Sequence, residues 1–420
     1  MGEPGIDLDA FDPFDAAIQQ CPHPHYAAMR EERPVFQVPG TDLYLVTRHD
    51  LVVPILRDVE TYSNRFGGTS ERAVDELAQR LGEVQAEGWP LVPTMLTEDP
   101  PAHTRYRGLV NAAFSPRRIA ALEPVVRAIA EELVDRFPSE GTVRFVPELA
   151  VPLPVRVIAH ILDVPDDRLD DFKRWSDDST IGIGARISDD ERVRAQRGVV
   201  EFQHYFAEQL ERRRAEPRDD VLSVLAHAGS DGEGGGALDM AEMLSIVQQL
   251  LVAGNETTTK LLTEAARLLV EHPDEWRRLR DEPARAAAVT EEVLRLSTPT
   301  QGMFRVVTRD VELAGVHVPA GARMVVMYAA ANRDPAVFPE PDAFDPDRAN
   351  RREHLAFGKG IHFCIGAPLA RLESTVALTV LAERITSWTF AEGNTFEYDP
   401  SFLLRGLRRL DVDVVRGTAA

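Results

Sequence analysis

Cysteine is nearly missing from this 420-residue chain: only Cys21 and Cys364 occur, and they lie far apart in sequence. Two distant thiols exclude a disulfide framework and a zinc site built on cysteine pairs, and they fit a reducing cytoplasm. Basic charge is also scarce. Lys and Arg number 47 against 68 Asp and Glu, a net charge of −21, which opposes binding to nucleic acid or to an anionic membrane. No apolar run reaches membrane-spanning length, and the opening residues lack the charged-then-apolar form of a signal peptide, so a cytoplasmic protein is expected. Linkers, repeats and shifts of composition are absent too, and residues 1–420 read as a single domain. The one low-complexity stretch, Gly232-Glu233-Gly234-Gly235-Gly236, reads as a surface turn. It mimics a dinucleotide fingerprint, but Ala226-His227-Ala228-Gly229 before it is no strand, and the match fails.

What the chain does have is one cysteine in an unusual place. Cys364 sits in Phe357-Gly358-Lys359-Gly360-Ile361-His362-Phe363-Cys364-Ile365-Gly366, a glycine-punctuated loop leading into a helical pattern near Ala367-Pro368. The positive end of that helix favours a thiolate at Cys364. The glycines permit close backbone approaches that a Cβ would block. A lone thiolate on a tight loop suits axial ligation of haem iron, whereas the plainer reading is a buried thiol acting as a small hydrophobe.

Periodicity predicts a mainly α chain with a minor β-sheet region. Helices are expected from Ser115-Pro116 to about Phe137, over Val151–Leu162, near Arg192–Arg214, over Ala284–Leu296 and, longest, from about Leu238 to Glu271. Short strands are expected at Val35–Val38, Leu43–Thr47, Val311–Leu313 and Met324–Tyr328. The longest helix is apolar on several faces through Ile246, Val247, Leu250, Leu251 and Leu261, so it should be buried. Into it fall Gly254, Glu256 and three threonines. Gly254 lets a flat group approach the backbone, and a threonine hydroxyl can take an i−4 carbonyl and open a bulge. A carboxylate beside a hydroxyl there can relay protons. Two acid-poor basic patches stand out: Arg105, Arg107, Arg117 and Arg118 between His103 and Leu122, and Arg348, Arg351, Arg352 and Lys359, opposed by Glu353.

The pattern Phe357, Gly360, Cys364, Gly366 resembles the cysteine loop of the cytochromes P450. Four more segments match in order: His103-Thr104-Arg105-Tyr106-Arg107, Ala253-Gly254-Asn255-Glu256-Thr257-Thr258, Glu292-Val293-Leu294-Arg295 and Phe344-Asp345-Pro346-Asp347-Arg348. The resemblance implies the P450 fold and haem b as cofactor, with Cys364 as the iron ligand and Ala253, Gly254, Phe357, Gly358 and Gly366 around it. It implies His103, Arg107, Arg305 and His362 as partners of the haem propionates, and Glu256 with Thr257 as the acid–alcohol pair that delivers protons to activated dioxygen. Glu292, Arg295 and Arg348 are implied as a buried structural brace for the haem loop.

An apolar substrate pocket is expected from Leu250, Ala253, Thr300, Met303, Phe304, Phe402 and Leu403. Segments near Trp89–Leu96 and Ile181–Ile187 are expected to cover its entrance. The implied reaction is hydroxylation of an apolar small molecule (a terpene, steroid, fatty acid or polyketide) by a monomeric soluble bacterial-type monooxygenase. With no flavin or nicotinamide module in the chain, electrons are expected from a separate ferredoxin or flavodoxin and its NAD(P)H reductase, docking on the basic patch near Cys364. Two other readings are a peroxide-driven haem-thiolate enzyme, against which Glu256-Thr257 counts, and a non-catalytic haem sensor or carrier.

Overall fold

The computed structural model describes residues 6–66, 76–111, 114–229 and 236–417; the glycine-rich residues 232–235 lie outside them. The described chain is mainly helical with three small sheets. It gathers into two compact units, Met1–Ser63 with Glu123–Leu153 and Thr257–Ala420, and Asn64–Leu122 with Pro154–Glu256. Neither unit is a continuous stretch, so no linker or compositional break marks the division. It falls inside the longest helix, Met240–Glu271, between Glu256 and Thr257.

The first unit holds all the strands found among the described residues. Its five-stranded sheet runs Val35–Gln37, Leu43–Val46, Arg323–Val326, Met303–Val307, Tyr62–Ser63, with the Leu43 and Arg323 strands parallel and the other neighbours antiparallel. Val46, Met324 and Val326 point into a core shared with Ile55, Leu56 and Leu355. Leu355 lies just ahead of the cysteine loop, so the loop starts from a fixed point. A second, antiparallel sheet pairs Asp411–Arg416 with Glu140–Arg144 on one side and Ile385–Phe390 on the other. Val311–Leu313 and Val316–Val318 form a hairpin.

The second unit is helical. Phe172, Trp175, Phe202 and Phe206 make its aromatic core where Leu169–Thr180 meets Asp189–Ala215; the Phe202 and Phe206 rings are 4.7 Å apart. The Asp189 helix starts on a capping box: Ser188 and Glu191 satisfy each other's backbone N–H.

The structure modifies two helix expectations. The pattern from Pro116 to Phe137 is two helices, Pro116–Ala120 and Glu123–Asp135. Pro124 explains the break, because a ring without N–H fits only the first turn of a new helix. The longest helix remains α-helical throughout, without the expected bulge; within it the Thr263 hydroxyl donates to its i−4 carbonyl, Thr259 O, at 2.8 Å.

Candidate functional site

In the first unit the cysteine loop is closed on itself. The Cys364 N–H donates to the Phe357 carbonyl at 2.9 Å, and the Ala367 N–H, at the start of helix Ala367–Arg384, donates to the Cys364 carbonyl at 3.3 Å. The sulfur thus lies at the positive end of an 18-residue helix, which stabilises a thiolate. Gly360, at φ +76°, is compelled: a Cβ there would stand 2.4 Å from the Leu56 carbonyl oxygen. Gly358, at φ +66°, faces the Tyr328 hydroxyl, 3.2 Å from the place of a Cβ. Gly366 leaves room beside the sulfur, its missing Cβ lying 3.8 Å from Cys364 Sγ.

Tyr328 was not foreseen as part of this neighbourhood. It is buried, hydrogen-bonded to Arg305, and its phenol is pushed up by burial, against the charge of Arg305 and with that of Cys364. Arg305 is itself only 2% exposed, and its Nη1 donates to the Phe304 carbonyl at 2.6 Å. His362 is half-buried on the loop. Thr300 bridges to Leu404, and Phe304 meets Phe402 edge-on at 6.3 Å, so the expected pocket segments 300–304 and 402–404 lie side by side. Met303, on the other face of its strand from Phe304, instead packs against the core of the five-stranded sheet.

Glu292, Arg295 and Arg348 meet behind the loop. The first two are fully buried, with Arg295 Nη2–Glu292 Oε1 at 2.7 Å and Nε–Oε2 at 2.9 Å; Arg348 Nε lies 3.4 Å from Glu292 Oε1. The remaining donors cap carbonyls: Arg295 reaches Asn332, Pro341 and Ala343, and Arg348 reaches Pro339 and Glu340. A planar guanidinium with five donors does here what a lysine cannot. The meander 339–345 is sewn to helix Ala286–Ser297.

In the second unit, His103 and Arg107 share one face of helix Ala102–Asn111. Burial and then the charge of Arg107 lower the His103 pKa against the pull of Asp99, so the imidazole is neutral at pH 7. The middle of the longest helix differs from its flanks. Leu250 and Leu251 are buried, as are Leu261 and Leu262, but Val252, Gly254, Glu256 and Thr257 are partly open and Ala253 is exposed. A Cβ at Gly254 would meet Ile158 at 3.4 Å, an ordinary contact with helix Pro152–Ile161. Asp177 lies near Glu256; its side chain is half exposed, and partial desolvation together with the charge of Glu256 raises its pKa against the pull of Lys173.

The basic patches shrink in the structure. Arg105 pairs with Glu242 at 2.8 Å, Arg118 pairs with Asp219 at 2.6 Å, and Arg348 is buried in the brace. Sequence neighbours hid these acids, which come from distant segments. Glu242 also accepts from the Tyr106 hydroxyl at 2.7 Å, and burial first, then that bond, push the phenol up to about 12. The Trp89–Leu96 segment is tied down: Trp89 N–H donates to Gln203 Oε1 at 3.0 Å, Gln203 Nε2 donates back to Trp89 O at 2.9 Å, and Val92 N–H donates to Ser245 Oγ at 3.0 Å.

Haem fits these residues. Among the described residues no group of three or more His, Cys, Asp or Glu side chains could hold a metal ion. A single thiolate on a loop closed by the Cys364 N–H to Phe357 carbonyl bond suits haem iron. A relative settles the family. The vitamin D(3) 25-hydroxylase of Pseudonocardia autotrophica is 37% identical over 408 residues, covering 96% of both chains.

The chain belongs to the cytochrome P450 family.

The family model described as cytochrome P450 matches residues 191–389. The 6-deoxyerythronolide B hydroxylase of Saccharopolyspora erythraea is 37% identical over 393 residues, covering 92% of this chain and 94% of its own. Among solved structures, CYP109E1 of Bacillus megaterium in complex with testosterone superposes with a TM-score of 0.82 at 32% identity, covering 95% of this chain and 99% of that one. The protein is a P450 monooxygenase of bacterial type, and its family binds haem b through a cysteine thiolate. Among the described residues no helix is long and apolar enough to cross a membrane.

Proposed function

We propose that this P450 hydroxylates a largely apolar small molecule of steroid-like or macrolactone-like bulk, as one functional domain drawing electrons from a separate ferredoxin or flavodoxin. The observation that carries the substrate class is the edge-on contact of Phe304 with Phe402, which sets two aromatic rings side by side among the expected pocket residues. The names of the relatives add support: one hydroxylates vitamin D3, another 6-deoxyerythronolide B, and a solved neighbour holds testosterone.

Haem b, when bound, supplies activation of dioxygen and insertion of one oxygen atom into a C–H bond. Cys364 Sγ would hold it, and His103, Arg107, Arg305 and His362 are the residues that would meet its propionates, charge-assisted for the arginines. Gly358 and Gly366 would let the loop backbone come close, and Ala253 and Gly254 are the small residues of the longest helix that would face it. Glu256 passes protons inward and the Thr257 hydroxyl orients them; Asp177, whose pKa Glu256 helps to raise, is a carboxyl that can reload Glu256 from solvent. The donor protein docks where Ile361 and Phe363, 42% and 40% exposed, flank the cysteine with Arg352 and Lys359 nearby. An apolar centre ringed by positive charge suits a small acidic partner.

The test is turnover of vitamin D3 and testosterone under isotopically labelled dioxygen with a ferredoxin and its reductase. One labelled atom in a hydroxylated product is expected. Products formed only with hydrogen peroxide, or no product from any apolar candidate that shifts the haem spectrum, would contradict the proposal.

A further inference from the structure

Beside the brace lies a second buried acid that the mechanism does not use. Glu291 precedes Glu292 on the same helix and points elsewhere. Its side chain is 3% exposed and lies 3.0 Å from Nε2 of His354, which is 1% exposed. Its other partners are Nε and, at 3.1 Å, Nη2 of Arg371. The Ala356 N–H donates to His354 Nδ1 at 3.1 Å, which makes Nε2 the protonated nitrogen and fixes it as the donor to Glu291. Burial alone would raise the Glu291 carboxyl, but the bonds from His354 and Arg371 outweigh it and hold the pKa at about 2.

The two partners of Glu291 straddle the cysteine loop in sequence: His354 enters it and Arg371 stands on the helix that leaves it. Both converge on one ring. The Arg371 guanidinium carbon lies 4.6 Å from the Phe357 centroid, and the His354 ring lies 6.0 Å from it. Phe357 is the residue whose carbonyl accepts the Cys364 N–H. A displacement of Phe357 is therefore handed to the backbone that carries the sulfur, whereas the Glu292 brace secures the meander instead.

We propose that Glu291, through His354 and Arg371, is a positioning residue that fixes Phe357 behind the sulfur and so sets how strongly the Cys364 thiolate donates to haem iron. The proposal rests on the haem-thiolate reading of Cys364. Outer contacts that orient a metal ligand tune its donor strength, and weaker thiolate donation favours the reduced iron.

The experiment compares the holoenzyme with Glu291→Gln and Arg371→Lys by resonance Raman and redox titration. Arg213→Gln serves as a control, since it breaks a buried ion pair with Asp220 in the other unit. Wild type should show the iron–sulfur stretch of a thiolate ligand. Glu291→Gln should lower that frequency and raise the reduction potential. Arg371→Lys, which keeps the charge but loses the flat stack on Phe357, should move both the same way by less, and its half-exposed position leaves folding intact even if Glu291→Gln fails to fold. Arg213→Gln should lower only the melting temperature. Iron–sulfur frequency and potential unchanged in Arg371→Lys, and in Glu291→Gln if it folds, would reduce the cluster to a structural tie and overturn the proposal. A wild-type protein with no thiolate signature would instead overturn the reading of Cys364 itself.

Discussion

The cysteine loop and the open middle of the longest helix solve opposite problems. At the brace beside the loop Glu292 and Arg295 are paired and buried, the carbonyls of the meander are capped by arginines, and Gly360 is imposed because a Cβ there would stand 2.4 Å from a backbone oxygen. In the longest helix, residues 252–257 interrupt an otherwise buried apolar stretch with small and polar side chains, a carboxylate among them. The first region is over-determined and holds a ligand still. The second is more open, and it holds the residues proposed for proton transfer. Rigidity and access are thus written into different residues, and substitutions should separate them.

The largest effect is expected where the paired region is broken. Arg295→Leu leaves Glu292 buried without its main partner, which costs about 3–5 kcal/mol; thermal melting should show the loss together with failure to retain haem. Gly360→Ala comes next, because an alanine at φ +76° carries strain of roughly 1–3 kcal/mol even before the clash with Leu56. Purified protein should hold far less haem per chain while its far-ultraviolet spectrum stays helical. In the open region the effect moves from stability to rate. Glu256→Gln should lower turnover by about 100-fold, the size of a lost general acid, with melting temperature and haem content unchanged.

Acid offers a milder way to press on the paired side. The Glu291 pKa falls from 4.5 to about 2 on folding, so its contribution is fully present above pH 4.5 and is lost as pH drops toward 2. Allowing for solvent screening, this linkage is on the order of 2 kcal/mol. Denaturant titrations between pH 5 and about 2.5 should show that slope in wild type and lack it in Glu291→Gln. Gly254→Ala should do least. Its Cβ makes an ordinary contact with Ile158, and alanine favours a helix by about 1 kcal/mol. A slightly higher melting point with full haem content is expected. Reduced haem content would instead support the reading that this glycine admits the cofactor.

Local pattern made part of this legible in advance. The loop glycines, the i,i+3 spacing of Glu292 and Arg295, and the apolar faces of the longest helix are written within a few residues of one another. What escaped depends on distant partners. Asp411–Arg416 alternates as a strand should, but its place between Glu140–Arg144 and Ile385–Phe390 joins segments hundreds of positions apart. Arg105 looked like free positive charge because Glu242 is remote in sequence. Tyr328 and Glu291 showed no motif; their roles come from burial beside Arg305, and beside His354 and Arg371. The doublet Glu291-Glu292 in a helix that buries both carboxylates was the one available signal, since two adjacent acids inside a core require two separate sets of partners.

The most direct measurement is the absorption spectrum of the reduced, carbon monoxide-bound holoprotein. A single band at the long-wavelength position of thiolate-ligated haem is expected, lost in Cys364→Ala. A band at the position of imidazole-bound haem in the wild-type protein, or a thiolate-type band that persists without Cys364, would contradict the account.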